Sequence, residues 1–210
     1  MLLQASLFGG GPTSVDPAVA VERVELDPTS WIDVARGWLR GPDPFFERLV
    51  TEAPWRQGRR EMYGRVVDDP RWSWAPSEED QPAEMAEVRT ALQARYGEWF
   101  SRGFCNYYRD GSDSVAFHGD RVLRDSDEPS LVAVLTLGAT RSFLVRPKCG
   151  GRSIDLRPGT GDLIVMGGRC QRDHEHSVPK CRHAGPRISI SFRTSAHEPP
   201  RMGQESLKRF

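Results

Sequence analysis

The sequence predicts an α+β fold in which helices of the first half pack against a β-sandwich or jelly roll formed by the second half. Apolar residues recur at helical spacing over residues 31–39, 44–51 and 82–96. The first of these stretches follows the capping side chains of residues 27–30. From residue 103 onward, short β segments alternate with Gly, Pro and Asp turns. This order predicts helices over much of the first half and a β structure after them.

Seven β segments are predicted in the second half, a number that suits a β-sandwich or jelly roll. They cover residues 103–108, 114–118, 131–137, 142–145, 153–156, 163–166 and 187–192. One further short strand is predicted at residues 21–26, before the first helix.

One catalytic domain is expected over residues 21–197, because 210 residues with 38% hydrophobic content can bury one substantial core. Residues 1–20 are predicted to form a flexible segment, since the run Gly9-Gly10-Gly11-Pro12 and its polar neighbours offer little to pack. Residues 198–210 are predicted to form a C-terminal tail.

The composition excludes several classes of protein. Lys and Arg (29) balance Asp and Glu (29), so any contact with nucleic acid needs a local basic patch. No apolar run approaches membrane-spanning length, and the first residues lack the features of a secretory signal. The four cysteines contain no CxxC pair, which argues against a structural zinc module. We expect a cytoplasmic monomer without a membrane partner.

The triplet His118-Gly119-Asp120 is a candidate metal-binding motif. In an extended segment, positions i and i+2 project to the same face, so the imidazole and the carboxylate can reach one metal ion. A histidine from a distant strand would complete a facial triad with positions left for a co-substrate and dioxygen. His174, His176 and His183 are the candidates. Taken alone, the triplet is also typical of a surface loop or a hydrogen-bonded pair without metal.

The segment Arg187–Arg193 alternates polar and apolar residues. Arg187, Ser189, Ser191 and Arg193 share one face, and the other face is apolar. One interpretation is a surface strand with its polar face in water. The other is a strand whose polar face lines a cavity, where guanidinium groups bind a dicarboxylate. Asn106 and Tyr108 share a face in the same way and would add uncharged donors.

The joint order of these motifs resembles the AlkB family of Fe(II)- and 2-oxoglutarate-dependent oxidative demethylases of nucleic acids. The similarity covers residues 103–193. The motifs, in chain order, are Asn106-x-Tyr108, Arg109-Asp110-Gly111, His118-x-Asp120, residues 135–138, 161–168 and 176–180, and Pro186 followed by the arginine strand.

The resemblance implies a specific site. It selects His176 as the third iron ligand beside His118 and Asp120. It assigns the distal carboxylate of 2-oxoglutarate to Arg187 with Tyr108, and the iron-chelating end to Arg193 and Asn106. The expected cofactors are Fe(II), 2-oxoglutarate and O2, on a double-stranded β-helix with N-terminal helices packed on one sheet.

The activity implied by the resemblance is DNA alkylation repair on bases such as 1-methyladenine or 3-methylcytosine, with release of formaldehyde, succinate and CO2. The expected partner is alkylated DNA or RNA, either single-stranded or with a flipped base. A dioxygenase acting on RNA, protein or a small molecule is the alternative. A binding module without catalysis is disfavoured by the complete set of ligand residues.

A nucleotide-recognition lid is expected at about residues 55–81, where the family has one. The residues that would contact the base or its phosphates are Tyr63, Arg71, Trp72, Trp74, Arg146 and Lys148. The aromatic members of this set are equally typical of a core or a hairpin.

The sequence departs from the family at three places. His174 stands where relatives carry tryptophan, and Ser189 stands where several carry asparagine. Arg121-Val122 follows Asp120 without the second acidic residue that relatives use near the base.

Overall fold

The computed structural model describes residues 11–62, 64–120 and 128–194. The helices are α1 (Pro42–Glu52), α2 (Ala83–Tyr96) and α3 (Cys170–Asp173). The strands are β1 (Ser14–Val15), β2 (Glu22–Asp27), β3 (Ser30–Ala35), β4 (Leu39–Arg40), β5 (Arg56–Met62), β6 (Arg65–Trp74), β7 (Phe104–Tyr108), β8 (Val115–His118), β9 (Val132–Gly138), β10 (Leu144–Pro147), β11 (Ile154–Asp155), β12 (Leu163–Gly168), β13 (His174–Val178) and β14 (Arg187–Arg193). None of these helices is long and apolar enough to cross a membrane.

Two sheets build the centre of the fold. The major sheet has eight strands in the order β2-β3-β12-β9-β14-β7-β6-β5, and the minor sheet has four in the order β11-β10-β13-β8. All the strand pairs of these two sheets are antiparallel. β1 and β4 form a separate two-stranded pair.

Two hydrophobic clusters lie on opposite sides of the major sheet. On one side, Phe45 of α1 and Met85 of α2 belong to the same buried cluster as Leu135 of β9 and Ile190 of β14. The second cluster joins major-sheet residues such as Val134 to Val145 of β10 and Val178 of β13 in the minor sheet. Strand alternation explains the two clusters, because adjacent residues of one strand face opposite layers. The layers are therefore helices, major sheet and minor sheet.

The helix predicted over residues 31–39 is wrong, because this segment contains β3, a turn and β4. β3 lies inside the major sheet between β2 and β12. Ile32 and Val34 face the minor sheet, whereas Trp31 and Ala35 belong to the cluster on the helix side. A strand buried on both faces has no simple alternation of apolar and polar residues, so its pattern was mistaken for a helix.

The helices predicted at residues 44–51 and 82–96 are confirmed by α1 and α2, and each of the predicted β segments overlaps a strand. The structure adds β13 and the long β5–β6 hairpin, which the sequence analysis did not predict. Within the segment predicted to be flexible, Ser14 and Val15 pair with Arg40 and Leu39, so the fold begins before residue 21. Residues 1–10 and the predicted tail lie outside the described residues.

Candidate active site

One pocket between the two sheets collects most of the predicted site residues. It is lined by Arg71, Asn106, Tyr108, Val115, His118, Asp120, Val132, Val134, Phe143, His176, Val178, Arg187, Ser189, Ser191 and Arg193. The polar face of β14 points into this pocket, whereas its apolar residues join the cluster on the helix side. The arginine strand therefore lines a cavity and is not a surface strand.

The register of the two sheets brings distant parts of the chain together. In the major sheet, Arg187 lies opposite Tyr108, and Ser189 lies opposite Asn106. In the minor sheet, His176 lies opposite His118. The two imidazole rings have centroids 4.4 Å apart, and Phe143 stacks on His176 with centroids 5.4 Å apart. His176, which the resemblance selects as the third iron ligand, is thus a neighbour of His118 in space.

Both imidazoles are held in the neutral form. Loss of water around the ring is the main cause that lowers the pKa of His176 to about 3, and the nearby His118 ring and the charge of Arg193 act in the same direction. Desolvation is also the main cause that lowers the pKa of His118. Nδ1 of His118 lies 2.9 Å from the carbonyl oxygen of Ala116, which can only accept, so Nδ1 carries the proton. Nε2 of His118 is then left with the lone pair that a metal needs.

Asp120 is buried beside these rings. Its backbone N–H donates to Oε1 of Gln171 at 3.0 Å, and its Oδ2 accepts a hydrogen bond from Nε of Arg193. Gly119 is tightly enclosed, since a Cβ there would lie 2.5 Å from the carbonyl oxygen of Gln171. Lys148 donates to the same carbonyl oxygen at 3.1 Å, so Lys148 supports this turn.

Arg187 is the most unusual residue of the pocket. Its side chain is fully buried, and Nη2 donates to Oγ1 of Thr136 at 3.1 Å. Nε and Nη1 are buried without a hydrogen-bond partner among the described residues. Burial lowers the pKa of Arg187 to about 10, with Arg141 acting in the same direction and Tyr108 against it. The unpartnered donors of this guanidinium need hydrogen-bond acceptors. A carboxylate, with two oxygens that both accept, matches a guanidinium group well.

The donor set fits an Fe(II) and 2-oxoglutarate site in chemical type. Two neutral imidazoles and a carboxylate are the ligands of the facial triad, and Arg187 offers free donors for a dicarboxylate. Among residues 11–62, 64–120 and 128–194, however, no three His, Cys, Asp or Glu side chains are already arranged to hold a metal ion. Asp120 instead contacts Arg193.

The other histidine candidates lie elsewhere. His174 is buried, and its Nε2 lies 3.7 Å from Oδ2 of Asp27. His183 is exposed in the loop after β13, against the turn at Asp110. Neither residue lines the pocket that contains His118 and Asp120.

Six residues were predicted to contact the base or its phosphates, and the structure describes five of them. Of these five, Arg71 is the one that lines the pocket. Trp74 packs against the helix-side cluster, and Trp72 packs with Tyr107, whose ring also belongs to that side. Arg146 is paired with Glu175 and stacks on Phe117. Tyr63 lies outside the described residues.

Thr136 and Gln171 were missed by the sequence analysis. Thr136 is the one polar residue of the buried strand β9, a signal that marks it as a partner for a polar group. Gln171 has no comparable signal, because its contact with Asp120 joins residues far apart in the chain.

The loop between β7 and β8 is fixed by charge. Asp113 is buried and accepts hydrogen bonds from the backbone N–H, Nε and Nη2 of Arg109 at 2.7–2.9 Å. Arg141, also buried, donates to the carbonyl oxygens of Asp110, Asp113 and Pro179. These bonds connect the loop that leads to His118 with the segment that follows β13.

Comparison with known proteins agrees with this geometry. Residues 40–193 match the model of the 2OG-Fe(II) oxygenase superfamily. The human alpha-ketoglutarate-dependent dioxygenase alkB homolog 3 is 30% identical over 85% of this chain and 68% of its own length. The chain belongs to the AlkB family of 2OG-Fe(II) oxygenases. It spans 62% of the length of the rat alkB homolog 3, to which it is 31% identical.

One further relative and two solved structures are also similar to this chain. The Arabidopsis thaliana DNA oxidative demethylase ALKBH2 is 27% identical over 71% of this chain and 60% of its own length. Among solved structures, OsALKBH1 has a TM-score of 0.52 at 15% identity, covering 83% of this chain and all of its own. A prolyl hydroxylase of Trichoplax adhaerens has a TM-score of 0.59 at 9% identity, covering 78% of this chain and 82% of its own. These two likenesses show the jelly-roll fold of the oxygenases.

Proposed function

We propose that this AlkB-family member is an Fe(II)- and 2-oxoglutarate-dependent demethylase of N-alkylated nucleic-acid bases, acting in DNA alkylation repair. The observation that carries the proposal is the buried Arg187, whose Nε and Nη1 lack hydrogen-bond partners among the residues that the structure describes, in a pocket that also holds two neutral imidazoles and a carboxylate. Alkylated nucleic acid is the substrate class that the names of the AlkB homologues support.

Each residue has a defined task in this mechanism. Arg187 binds the distal carboxylate of 2-oxoglutarate, and the neighbouring phenol of Tyr108 adds a donor. His118, Asp120 and His176 would hold the iron. For this, the Asp120 carboxylate has to release Arg193 and bind the metal ion instead. Asn106, Ser189 and Arg193 line the rest of the co-substrate site. When bound, iron with 2-oxoglutarate and O2 supplies the oxidation that turns an N-methyl group into formaldehyde, with succinate and CO2 as the other products.

The base has to leave its stack to reach this pocket, because an alkyl group on the Watson-Crick edge is enclosed in a duplex. We assign the lid to the β5–β6 hairpin, the outermost pair of the major sheet. It is joined to the site through β6, which carries Arg71, and it exposes Val66 and Val67 to solvent. Packing of α1 and α2 on the opposite face of the sheet supports the wall of the pocket.

The test supplies the purified protein with Fe(II), 2-oxoglutarate, O2 and oligonucleotides that each carry one methylated base. We expect formaldehyde release and restoration of the base, measured by mass spectrometry. Asp120→Asn should abolish both, because it removes one anionic ligand. Glu47→Gln, which changes an exposed acid on α1, should match the unsubstituted protein.

One result would overturn the proposal. If 2-oxoglutarate is decarboxylated normally while no methylated DNA or RNA is repaired, the chain is a dioxygenase of another substrate class, such as a protein or a small molecule.

A further inference from the structure

The turn His118-Gly119-Asp120, which carries two of the proposed metal ligands, packs against the short helix α3. The backbone N–H of Asp120 donates to Oε1 of Gln171 at 3.0 Å. One residue earlier, a Cβ at Gly119 would lie 2.5 Å from the carbonyl oxygen of Gln171. The side chain and the backbone of Gln171 therefore contact two consecutive residues of this turn.

The amide of Gln171 is fixed on both sides. Its side chain is 2% exposed, and Nε2 lies 3.5 Å from Sδ of Met166, which is fully buried on β12. Because a backbone N–H can only donate, Oε1 is the amide atom that faces Asp120. A buried side chain with contacts at both ends of its amide keeps one orientation, so the acceptor for Asp120 stays in place.

The helix α3 is itself tied to two other parts of the fold. Before its first residue, the backbone N–H of Arg169 donates to the carbonyl oxygen of Thr29 at 2.9 Å. At its last residue, the carbonyl oxygen of Asp173 accepts a hydrogen bond from the backbone N–H of Lys148 at 2.9 Å. Nζ of Lys148 also donates to the carbonyl oxygen of Gln171 at 3.1 Å. These bonds to the β2–β3 turn and to the residue after β10 make α3 a fixed support.

A fixed backbone at Asp120 has a consequence for its carboxylate. In the structure, Oδ2 accepts a hydrogen bond from Nε of Arg193, whereas in the proposed function the carboxylate binds the metal ion. If the backbone stays in place, this exchange needs only rotation of the side chain about its own bonds. If the backbone can shift, more orientations of the carboxylate compete, and the metal is bound less tightly.

We propose that Gln171 is a positioning residue of the metal site, which fixes the backbone of Asp120 and so keeps the Asp120 carboxylate in the pocket beside His118. This inference rests on the proposed function, in which Asp120 is a metal ligand. Gln171 is not part of the lining of the pocket, so it acts through Asp120 and not by contact with the co-substrate.

The experiment measures the affinity for Mn(II) by equilibrium dialysis in the absence of 2-oxoglutarate. Gln171→Met keeps the length of the side chain but removes the amide oxygen, and it should lower the affinity roughly tenfold to a hundredfold. Gln171→Glu keeps an oxygen that can accept from Asp120, so it should retain most of the affinity that Gln171→Met loses.

A second variant tests the same contact from the side of the turn. Gly119→Ala places a methyl group against the carbonyl oxygen of Gln171 and should push the turn away from α3. We therefore expect Gly119→Ala to lower the affinity for Mn(II) as Gln171→Met does.

The control separates positioning from a general loss of stability. Leu92 is fully buried on α2, in the cluster on the helix side of the major sheet. Leu92→Ala should lower the midpoint of urea denaturation, because it leaves a cavity, and should leave the affinity of the folded protein for Mn(II) unchanged.

Three outcomes overturn the inference and leave the proposed function standing. The first is a Gln171→Met variant that binds Mn(II) as tightly as the unsubstituted protein. The second is an equal loss in Gln171→Met and Gln171→Glu, which would mean that the acceptor has no role. The third is an equal loss in Leu92→Ala, which would assign the effect to stability.

Failure of the proposed function gives a different result. Mn(II) affinities that follow the expected pattern, with no formaldehyde from any methylated oligonucleotide, would support the role of Gln171 and count against demethylation alone. An unsubstituted protein that does not bind Mn(II) would overturn both.

Discussion

At the scale of single residues, Arg187 joins a buried, incompletely hydrogen-bonded charge to its proposed role in binding 2-oxoglutarate. Its charge is fully buried, and two of its donors have no partner among the described residues. Arg187→Met should therefore raise the free energy of unfolding of the ligand-free protein by about 1–3 kcal/mol, because it removes a poorly compensated buried charge. Urea denaturation measures this change.

The same substitution should abolish stabilisation by 2-oxoglutarate. In the unsubstituted protein, the co-substrate should raise Tm, because it binds the folded state alone. A variant Arg187→Met that is less stable and still responds to 2-oxoglutarate would contradict both roles. Arg95→Met, at an exposed position, is the control.

His176 and His174 form a matched pair for testing the metal site. They are two residues apart on β13, but only His176 lines the pocket, whereas His174 lies beside Asp27. His176→Ala should lower the affinity for Fe(II) or Mn(II) by roughly a hundredfold, and His174→Ala should leave it nearly unchanged. Equilibrium dialysis of the metal checks this. Equal losses in the two variants would show that His174 is also a ligand.

At the scale of elements, the β7–β8 loop should make stability depend on pH. Burial alone would raise the pKa of Asp113, but hydrogen bonds from Arg109 outweigh it and hold that pKa below its ordinary value. The carboxylate therefore stabilises the fold above the pKa of the unfolded chain, about 4, and this contribution is lost as pH falls through the folded value. Asp113→Asn should lower the free energy of unfolding by about 1–3 kcal/mol at pH 7.

The difference between Asp113→Asn and the unsubstituted protein should shrink as the pH is lowered from about 5 toward 3. Denaturation curves at several pH values measure it. Asp80→Asn, in the exposed loop before α2, serves as the control. A difference that stays constant over this range would mean that the charge of Asp113 contributes nothing.

Elements that have one polar face were the easiest to predict. β14 alternates strictly because the pocket lies on one side and the helix-side cluster on the other. β3 was mistaken for a helix because both of its faces are buried, which removes the period that distinguishes a strand. β13 was missed because its run of polar residues resembles a loop. In the structure, His174 lies beside Asp27, Glu175 is paired with Arg146, and His176 lines the pocket.

The site itself was predictable only in part. His118 and Asp120 stand two residues apart, so their shared face is a local property of the chain. The choice of His176 came from the resemblance, since its position opposite His118 depends on the register between distant strands. The roles of Trp72 and Trp74 could not be judged from composition, because the side of β6 that faces the pocket is set by the pairing with β7.

At the scale of the whole molecule, the balance of charge predicts weak dependence on salt. The chain has equal numbers of basic and acidic residues, and many arginines near its surface are paired with carboxylates, among them Arg23, Arg36 and Arg169. Paired arginines release few counterions when nucleic acid binds. The slope of log K against log salt for a single-stranded oligonucleotide should be about −2 to −4.

Anisotropy titrations between about 50 and 200 mM salt measure this slope. A slope steeper than about −6 would mean that many more phosphates are contacted than the paired arginines allow. The expected gentle slope fits a protein that recognises one extruded base and few phosphates around it.

The buried position of Arg187 also bears on how the reaction ends. In the proposed function its guanidinium binds the distal carboxylate, the end of 2-oxoglutarate that the reaction leaves unchanged, so succinate would keep this contact after CO2 is lost. Succinate lacks the 2-oxo group and should hold the metal less tightly, and departure of the product then depends on the contact with Arg187. Succinate should consequently compete with 2-oxoglutarate in steady-state kinetics, and purely noncompetitive inhibition would exclude this shared anchor.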